Sequence, residues 1–125
     1  MVKSGLFILC CLKGLWKLDG TTLSNKAGIT LTGNWVLPSA DDYDGYGTIQ
    51  NTDTGVNGYL TTNGNTAAGS AVVEDALYNS YEWIRSHEVS GYFTLKNYDC
   101  GKFLTGQSSD TPNSLTIEGN DFTFM

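Results

Sequence analysis

The sequence predicts a single all-β domain made of three similar units of about 40 residues each. Three observations lead to this fold class. Fifteen glycines against two prolines in 125 residues favour short strands joined by tight turns. A content of 40% hydrophobic and 12% aromatic residues indicates one packed core and argues against disorder. The third observation is an internal repeat.

The repeat is clearest between segments 45–62 and 91–106. Each begins with Gly-Tyr-x-Thr-Ile/Leu-x-Asn-x-Asp-x-Gly and continues, after a short insertion in the first, with an aromatic residue, Leu and Thr. Asn-x-Asp-x-Gly predicts a turn, because its side chains accept bonds from nearby backbone and Gly adopts positive φ easily. We interpret the two segments as copies of one strand–turn–strand unit.

A fainter third copy begins at Gly5, where segment 18–20 (Leu-Asp-Gly) aligns with 104–106 and segment 29–34 aligns with 115–120. Each copy closes on an aromatic-led strand, at 35–37, 83–85 and 122–124. The predicted units are therefore about 5–44, about 45–90, and about 91–125 completed by 1–4. This arrangement brings the two termini together.

Within the units, alternation of apolar and polar residues predicts strands and no helix. Phe93 and Leu95, for example, share one face of their strand. Segment 67–78 allows a helical alternative, but Val72-Val73 favours a strand there. The predicted core comprises Phe7, Leu9, Leu18, Leu31, Ile49, Leu60, Val73, Phe93, Leu95, Phe103, Leu104, Leu115 and Ile117, with Trp35 and Trp83 mostly buried.

Three equivalent units of about four short strands predict a closed barrel, which removes edge strands. With the pattern Gly-Tyr-x-x-Ile-x-Asn-x-x-x-Gly, then aromatic-Leu-Thr/Asp and a closing Trp-x-Ile, the chain resembles the β-trefoil family. Within that family it is similar to ricin-type lectins and their small fungal relatives. The resemblance covers nearly the whole chain and implies a β-trefoil of about twelve short strands. It also implies carbohydrate binding, although trefoils serve other functions too.

The resemblance also implies site residues, because ricin-type lectins hold sugar hydroxyls with an Asp directly after the Leu of the aromatic-Leu element. Asp19, followed by Gly20, matches that position in unit one, whereas Thr61 and Thr105 occupy it in units two and three. A turn aspartate is the equal alternative for Asp19. The further candidates are Asn34 and Trp35 in unit one, Asp75, Tyr78 and Asn79 in unit two, and Glu118 and Asn120 in unit three.

No residue pattern favours an enzyme. The single histidine, His87, lies in a polar stretch typical of a surface loop. No His/Cys cluster has metal-ligand spacing, and segment 41–45 lacks the downstream Glu of a calcium loop, so no metal or cofactor is expected.

A net charge of −6 disfavours nucleic acid and anionic membranes as partners. The apolar segment 5–12 resembles a secretory signal superficially, but we interpret it as a buried strand. The three cysteines, Cys10, Cys11 and Cys100, do not form a disulfide framework and are expected to be free thiols. The cytoplasm is therefore the expected location, with secretion as the alternative.

The predicted function is non-catalytic, lectin-like binding of glycans. The alternative is a trefoil that binds a protein through its surface loops, as a protease inhibitor does. A storage role and an unrecognised enzyme also stay open, as do the sugar, the number of working units and assembly into a homo-oligomer.

Overall fold

The computed structural model describes residues 12–31, 33–39, 47–53, 58–62, 69–74, 81–106 and 114–118. Within these ranges the chain forms short antiparallel strands and no helical element, so the all-β prediction is confirmed. The strands are β1 (Trp16–Asp19), β2 (Thr22–Asn25), β3 (Thr30–Leu31), β4 (Trp35–Val36), β5 (Gly47–Thr48), β6 (Gln50–Asn51), β7 (Gly58–Thr61), β8 (Gly69–Glu74), β9 (Glu82–Arg85), β10 (Leu95–Asn97), β11 (Phe103–Thr105) and β12 (Ser114–Glu118). The strand predicted over 72–73 is confirmed by β8.

The larger sheet has the strand order β4-β6-β7-β8-β12-β11-β10-β9-β5. Its β5 and β6 belong to one stretch of chain that is interrupted only at Ile49. At one end of this stretch Gly47 pairs with Trp83, and at the other end Gln50 pairs with Tyr59. The sheet can therefore be followed from residues 50–51 through β7 and its successive neighbours to β9, which pairs with residues 47–48 of the same stretch. Each strand from β7 to β12 has a neighbour on both edges, which leaves none of them free to template aggregation.

The smaller sheet, in the order β1-β2-β3, joins the larger one through backbone hydrogen bonds. The Trp16 N–H donates to the Phe93 carbonyl at 2.8 Å, and the Phe93 N–H donates back to Trp16 at 2.9 Å. The Trp35 N–H donates to the Thr21 carbonyl at 3.2 Å. These bonds fix the β1–β2 hairpin against β4 and against Phe93, which precedes β10.

The core draws residues from both sheets and contains three tryptophans, each with its indole N–H bonded to a leucine carbonyl. Trp16 donates to Leu104 at 2.9 Å, Trp35 to Leu31 at 3.2 Å and Trp83 to Leu60 at 3.0 Å. An indole can be buried at low cost only when this donor is satisfied. The remaining members of the cluster are aliphatic or phenylalanine: Leu23, Leu31, Ile49, Leu60, Phe93, Leu95, Leu104, Leu115 and Ile117.

Most of the predicted core is confirmed, including the burial of Trp35, Trp83 and Phe103, while Leu18 is half-buried and packs against the cluster. The prediction omitted Trp16, Leu23 and Leu15, which are all buried. The predicted core residues Phe7 and Leu9 lie outside the described residues, the side chain of Val73 is not described, and both termini lie outside them as well.

The two Asn-x-Asp-x-Gly segments fold alike where they are described. The Asp53 N–H donates to Asn51 Oδ1 at 2.9 Å, and the Asp99 N–H donates to Asn97 Oδ1 at 3.0 Å. Both asparagines are fully buried, and each lies in register with a tryptophan of the preceding closing strand, Trp35 or Trp83. This is the side-chain turn that the sequence pattern predicts.

Candidate functional site

The solvent side of the β1–β2 hairpin gathers four polar side chains. Along β1, Trp16 is buried while Lys17 and Asp19 are exposed, since successive strand residues point to opposite faces. Their cross-strand partners are Ser24 and Thr22, both half-buried. We name Lys17, Asp19, Thr22 and Ser24 the hairpin face.

A two-residue turn holds this hairpin. Asp19 pairs with Thr22, and Gly20 between them has φ +64°. Positive φ at the first turn position is typical of a type II′ hairpin, whose twist matches that of the flanking strands. Because Gly20 lacks a Cβ, the turn forms without strain and holds the Asp19 carboxylate at the end of the face.

Exposed Asn34 lies beside this turn. Its neighbour Trp35 donates its N–H to the Thr21 carbonyl at 3.2 Å. On its other side, the Asn34 carbonyl accepts the Thr52 N–H at 3.0 Å and the Thr52 hydroxyl at 3.3 Å. The backbone bond from Trp35 to Thr21 therefore places the segment Asn34–Trp35 beside the turn that contains Asp19 and Gly20.

The aromatic ring near this site is Tyr92 and not Trp35. The Trp35 indole is 2% exposed and donates to the Leu31 carbonyl, so it offers no face to a ligand. Tyr92 is half-buried, and the ammonium groups of Lys17 and Lys26 lie 5.8 Å and 5.1 Å from its ring centroid. Sequence reasoning missed these three residues, although the alternation of 16–19 could have indicated the exposure of Lys17.

Strand register contradicts the alignment that selected Asp19. Leu104 pairs with Ile117, and Leu23 pairs with Leu31 in the same way. Since segments 29–34 and 115–120 correspond in sequence, the counterpart of Leu104 is Leu23 and the alignment of Leu18 with Leu104 is wrong. The residue that follows the matching leucine is therefore Ser24.

Asp19 consequently remains a candidate because it is exposed and has polar neighbours. It no longer matches the position of the sugar-binding Asp in ricin-type lectins. Thr61 and Thr105, which the sequence analysis placed at that position in the other two units, are both fully buried. A ligand at the surface cannot reach either hydroxyl.

The other candidates give no assembled site. Asp75, Tyr78, Asn79 and Asn120 lie outside the described residues, and the side chain of Glu118 is not described. His87 is exposed in a loop, as predicted. Cys100 is a free thiol, as predicted, whereas Cys10 and Cys11 fall outside the described residues.

Two other features, a metal centre and a membrane-spanning helix, are absent from the described part of the chain. Its His, Cys, Asp and Glu residues form no group of three that could hold a metal ion. In the same ranges there is no helix of the length and hydropathy needed to span a membrane.

The hairpin face and its neighbours combine complementary hydrogen-bonding groups. The Asp19 carboxylate only accepts, the Lys17 ammonium only donates, and the hydroxyls of Thr22 and Ser24 do both. Tyr92 adds an apolar ring close to the Lys17 end. Such a surface can bind a small polyhydroxylated molecule.

Comparison with protein-family models, with curated proteins and with solved structures gave no match. What the chain binds is therefore inferred from the residues of the hairpin face and their surroundings.

Proposed function

We propose that this chain is a non-catalytic, lectin-like β-trefoil that binds carbohydrate at the hairpin face. The observation that carries the proposal is the placement of one carboxylate, one ammonium and two hydroxyls on the exposed side of a single rigid hairpin. A tyrosine ring lies at one end of this surface.

The strand register supports the trefoil. Three leucines, Leu23, Leu60 and Leu104, each pair with the following strand, at Leu31, Val73 and Ile117. The closing strands β4 and β9 each pair with the opening strand of the next segment, where Trp35 meets Asn51 and Trp83 meets Asn97. Similar pairing at similar sequence intervals is expected when one unit is repeated around an axis.

Sugar recognition needs the groups that this surface offers. Neighbouring sugar hydroxyls are both donors and acceptors, so a carboxylate can accept from two of them through charge-assisted bonds. The apolar side of a sugar ring can lie against an aromatic ring. Because Asp19, Thr22 and Ser24 are on paired strands, little backbone conformational entropy is lost when a sugar binds.

A glycan array probed with the purified full chain tests this proposal. The expected result is selective binding to a group of related saccharides, competed by the free sugar. Lys17→Met/Asp19→Asn/Ser24→Val should abolish the signal and keep the melting temperature, because all three side chains point away from the core.

The matched control is Lys96→Met/Asp99→Asn, since both of these residues are also exposed but lie in and after β10. Binding by the control variant should equal that of the wild type. Absence of saccharide binding by a folded wild-type protein would contradict the proposal, as would equal loss in both variants.

A second candidate, binding of a protein through a surface loop, is favoured by the hairpin tip at 89–92. Val89 and Tyr92 exchange backbone hydrogen bonds of 2.8 Å and 3.1 Å, and both intervening residues, Ser90 and Gly91, have positive φ. That geometry is typical of a rigid type I′ turn. Val89 is 63% exposed on it, and an apolar side chain on a rigid loop suits insertion into a protein pocket.

The two functions are separated by one substitution. Val89→Ser removes the apolar side chain without adding a charge opposite Tyr92, and it should leave glycan binding unchanged if the hairpin face is the site. If Val89→Ser instead removes an interaction with a protein while saccharides never bind, the loop is the functional surface.

A further inference from the structure

Two lysines of this acidic chain converge on one tyrosine. Lys17 lies on β1 and Lys26 directly follows β2, yet the ammonium groups of both lie near the Tyr92 ring, at 5.8 Å and 5.1 Å from its centroid. Both lysines are exposed, and Tyr92 is half-buried. We name Lys17, Lys26 and Tyr92 the lysine–tyrosine cluster.

The backbone fixes this convergence. Lys26 donates its N–H to the Leu15 carbonyl at 2.9 Å, immediately before β1, and the Trp16–Phe93 bonds hold Tyr92 next to Lys17. The two positive charges therefore share one ring although they repel each other. Each ammonium is attracted by the ring face, but neither attraction neutralises its charge.

No carboxylate neutralises these lysines within the described part of the chain, where the ion pair found joins Arg85 to Glu88. Asp19, on the same strand face as Lys17, is two residues away, a separation of roughly 7 Å along a strand. The cluster is thus a local positive site on a chain whose net charge is −6. The two ammonium groups outnumber the Asp19 carboxylate, and charges farther than about 8 Å away are screened at physiological salt.

We propose that the lysine–tyrosine cluster binds the anionic group of an acidic saccharide, a carboxylate or a sulfate, while the sugar ring extends along the hairpin face. The anion lies between the two ammonium groups, and the sugar hydroxyls face Asp19, Thr22 and Ser24. This inference rests on the proposed function and names the substrate class within it. A long polyanion does not fit, because the net negative charge of the whole chain repels it.

The test uses an array that carries neutral, sulfated and uronic-acid saccharides, with the full chain as the probe. The expected result is a preference of about tenfold or more for acidic saccharides over their neutral counterparts, which corresponds to one charge-assisted hydrogen bond. Sulfated and uronic-acid ligands on the same array distinguish the two anionic groups. The preference should shrink as NaCl rises from about 0.05 M to about 0.5 M.

Lys17→Gln and Lys26→Gln should each reduce the preference toward the neutral level, with unchanged melting temperature. Lys96→Gln is the matched control, because its ammonium lies 5.7 Å from the Phe103 centroid, far along the chain from the cluster. It removes the same charge from a similar lysine–aromatic contact and should leave the preference intact.

Four results would overturn the inference. Equal binding of neutral and acidic saccharides would remove the acidic specificity and leave the proposed function standing. Equal loss in Lys96→Gln would show a general effect of net charge. Competition by inorganic sulfate at the same concentration as a sulfated saccharide would show a simple anion site. If no saccharide binds, the proposed function fails together with the inference.

Discussion

The turn after β1 and the turn after β10 each connect two paired antiparallel strands but are built differently. After β10, the buried side chain of Asn97 accepts the N–H groups of Asp99 and Cys100, at 3.0 Å and 3.1 Å. After β1, the turn depends on the positive φ of Gly20, and Asp19 lies exposed at its start. The turn after β10 is held by a buried side chain, and the turn after β1 is held by its own backbone.

The difference shows which of the two turns can contribute side chains to a binding site. A buried asparagine that satisfies two backbone donors cannot also meet a ligand, so the Asn97 turn has a structural role. The turn at Gly20 needs no side chain from its neighbours. Asp19 and the exposed residues of β1 and β2 are therefore available for binding.

The largest expected effect is at the junction of the two regions. Phe93 is 2% exposed, exchanges backbone bonds with Trp16 and has the Arg85 guanidinium 4.1 Å from its ring centroid. Phe93→Ala should lower the free energy of unfolding by about 3–5 kcal/mol, measured by chemical denaturation. Exposed Val89→Ala is the control and should change it by less than about 0.5 kcal/mol. A loss below about 1 kcal/mol for Phe93→Ala would show that its ring is not in the core.

A smaller loss is expected from the asparagine turn. Asn97→Ala should cost about 2–3 kcal/mol, because the N–H groups of Asp99 and Cys100 lose their acceptor in a partly buried site. Asp99→Ala should cost under about 0.5 kcal/mol, since it is the Asp99 backbone that takes part in the turn. Equal losses in the two variants, in the same denaturation experiment, would refute the distinction.

The smallest effect is expected at the hairpin turn. Gly20→Ala should cost about 1–2 kcal/mol, because φ +64° is unfavourable for a residue with a Cβ, although no atom lies within 4 Å of the position where that Cβ would be. Gly20→Asn should cost less, since asparagine tolerates this conformation. Thermal unfolding of both variants checks the order, and a more stable Gly20→Ala would mean that the turn has a different geometry.

Sequence reasoning predicted the strands and most of the core because alternation and buried aliphatic residues are local signals. It also predicted the turn geometry at Asn51 and Asn97, where the pattern itself supplies the hydrogen bonds. It failed on register in the first segment, because Leu18-Asp19-Gly20 imitates Leu104-Thr105-Gly106. Only the pairing of Leu23 with Leu31 distinguishes the two.

Sequence reasoning found only some of the residues of the candidate site. The bond from the Trp35 N–H to the Thr21 carbonyl places the segments of Asp19 and Asn34 side by side, whereas Tyr92 and Lys26 reach the site through contacts between distant segments. No pattern in a single sequence shows such a contact. The burial of the Trp35 indole, which removes it as a ligand, likewise follows from packing.

Binding of the strongest array ligand to Asp19→Asn, measured by calorimetry beside Asp99→Asn, tests the central claim most directly. Both substitutions remove one exposed carboxylate and preserve its shape. Asp19→Asn should weaken binding by about 1.5–3 kcal/mol, the scale of a hydrogen bond to a charged group, while Asp99→Asn leaves the affinity unchanged. If Asp99→Asn abolishes binding and Asp19→Asn does not change it, the hairpin face is not the binding site.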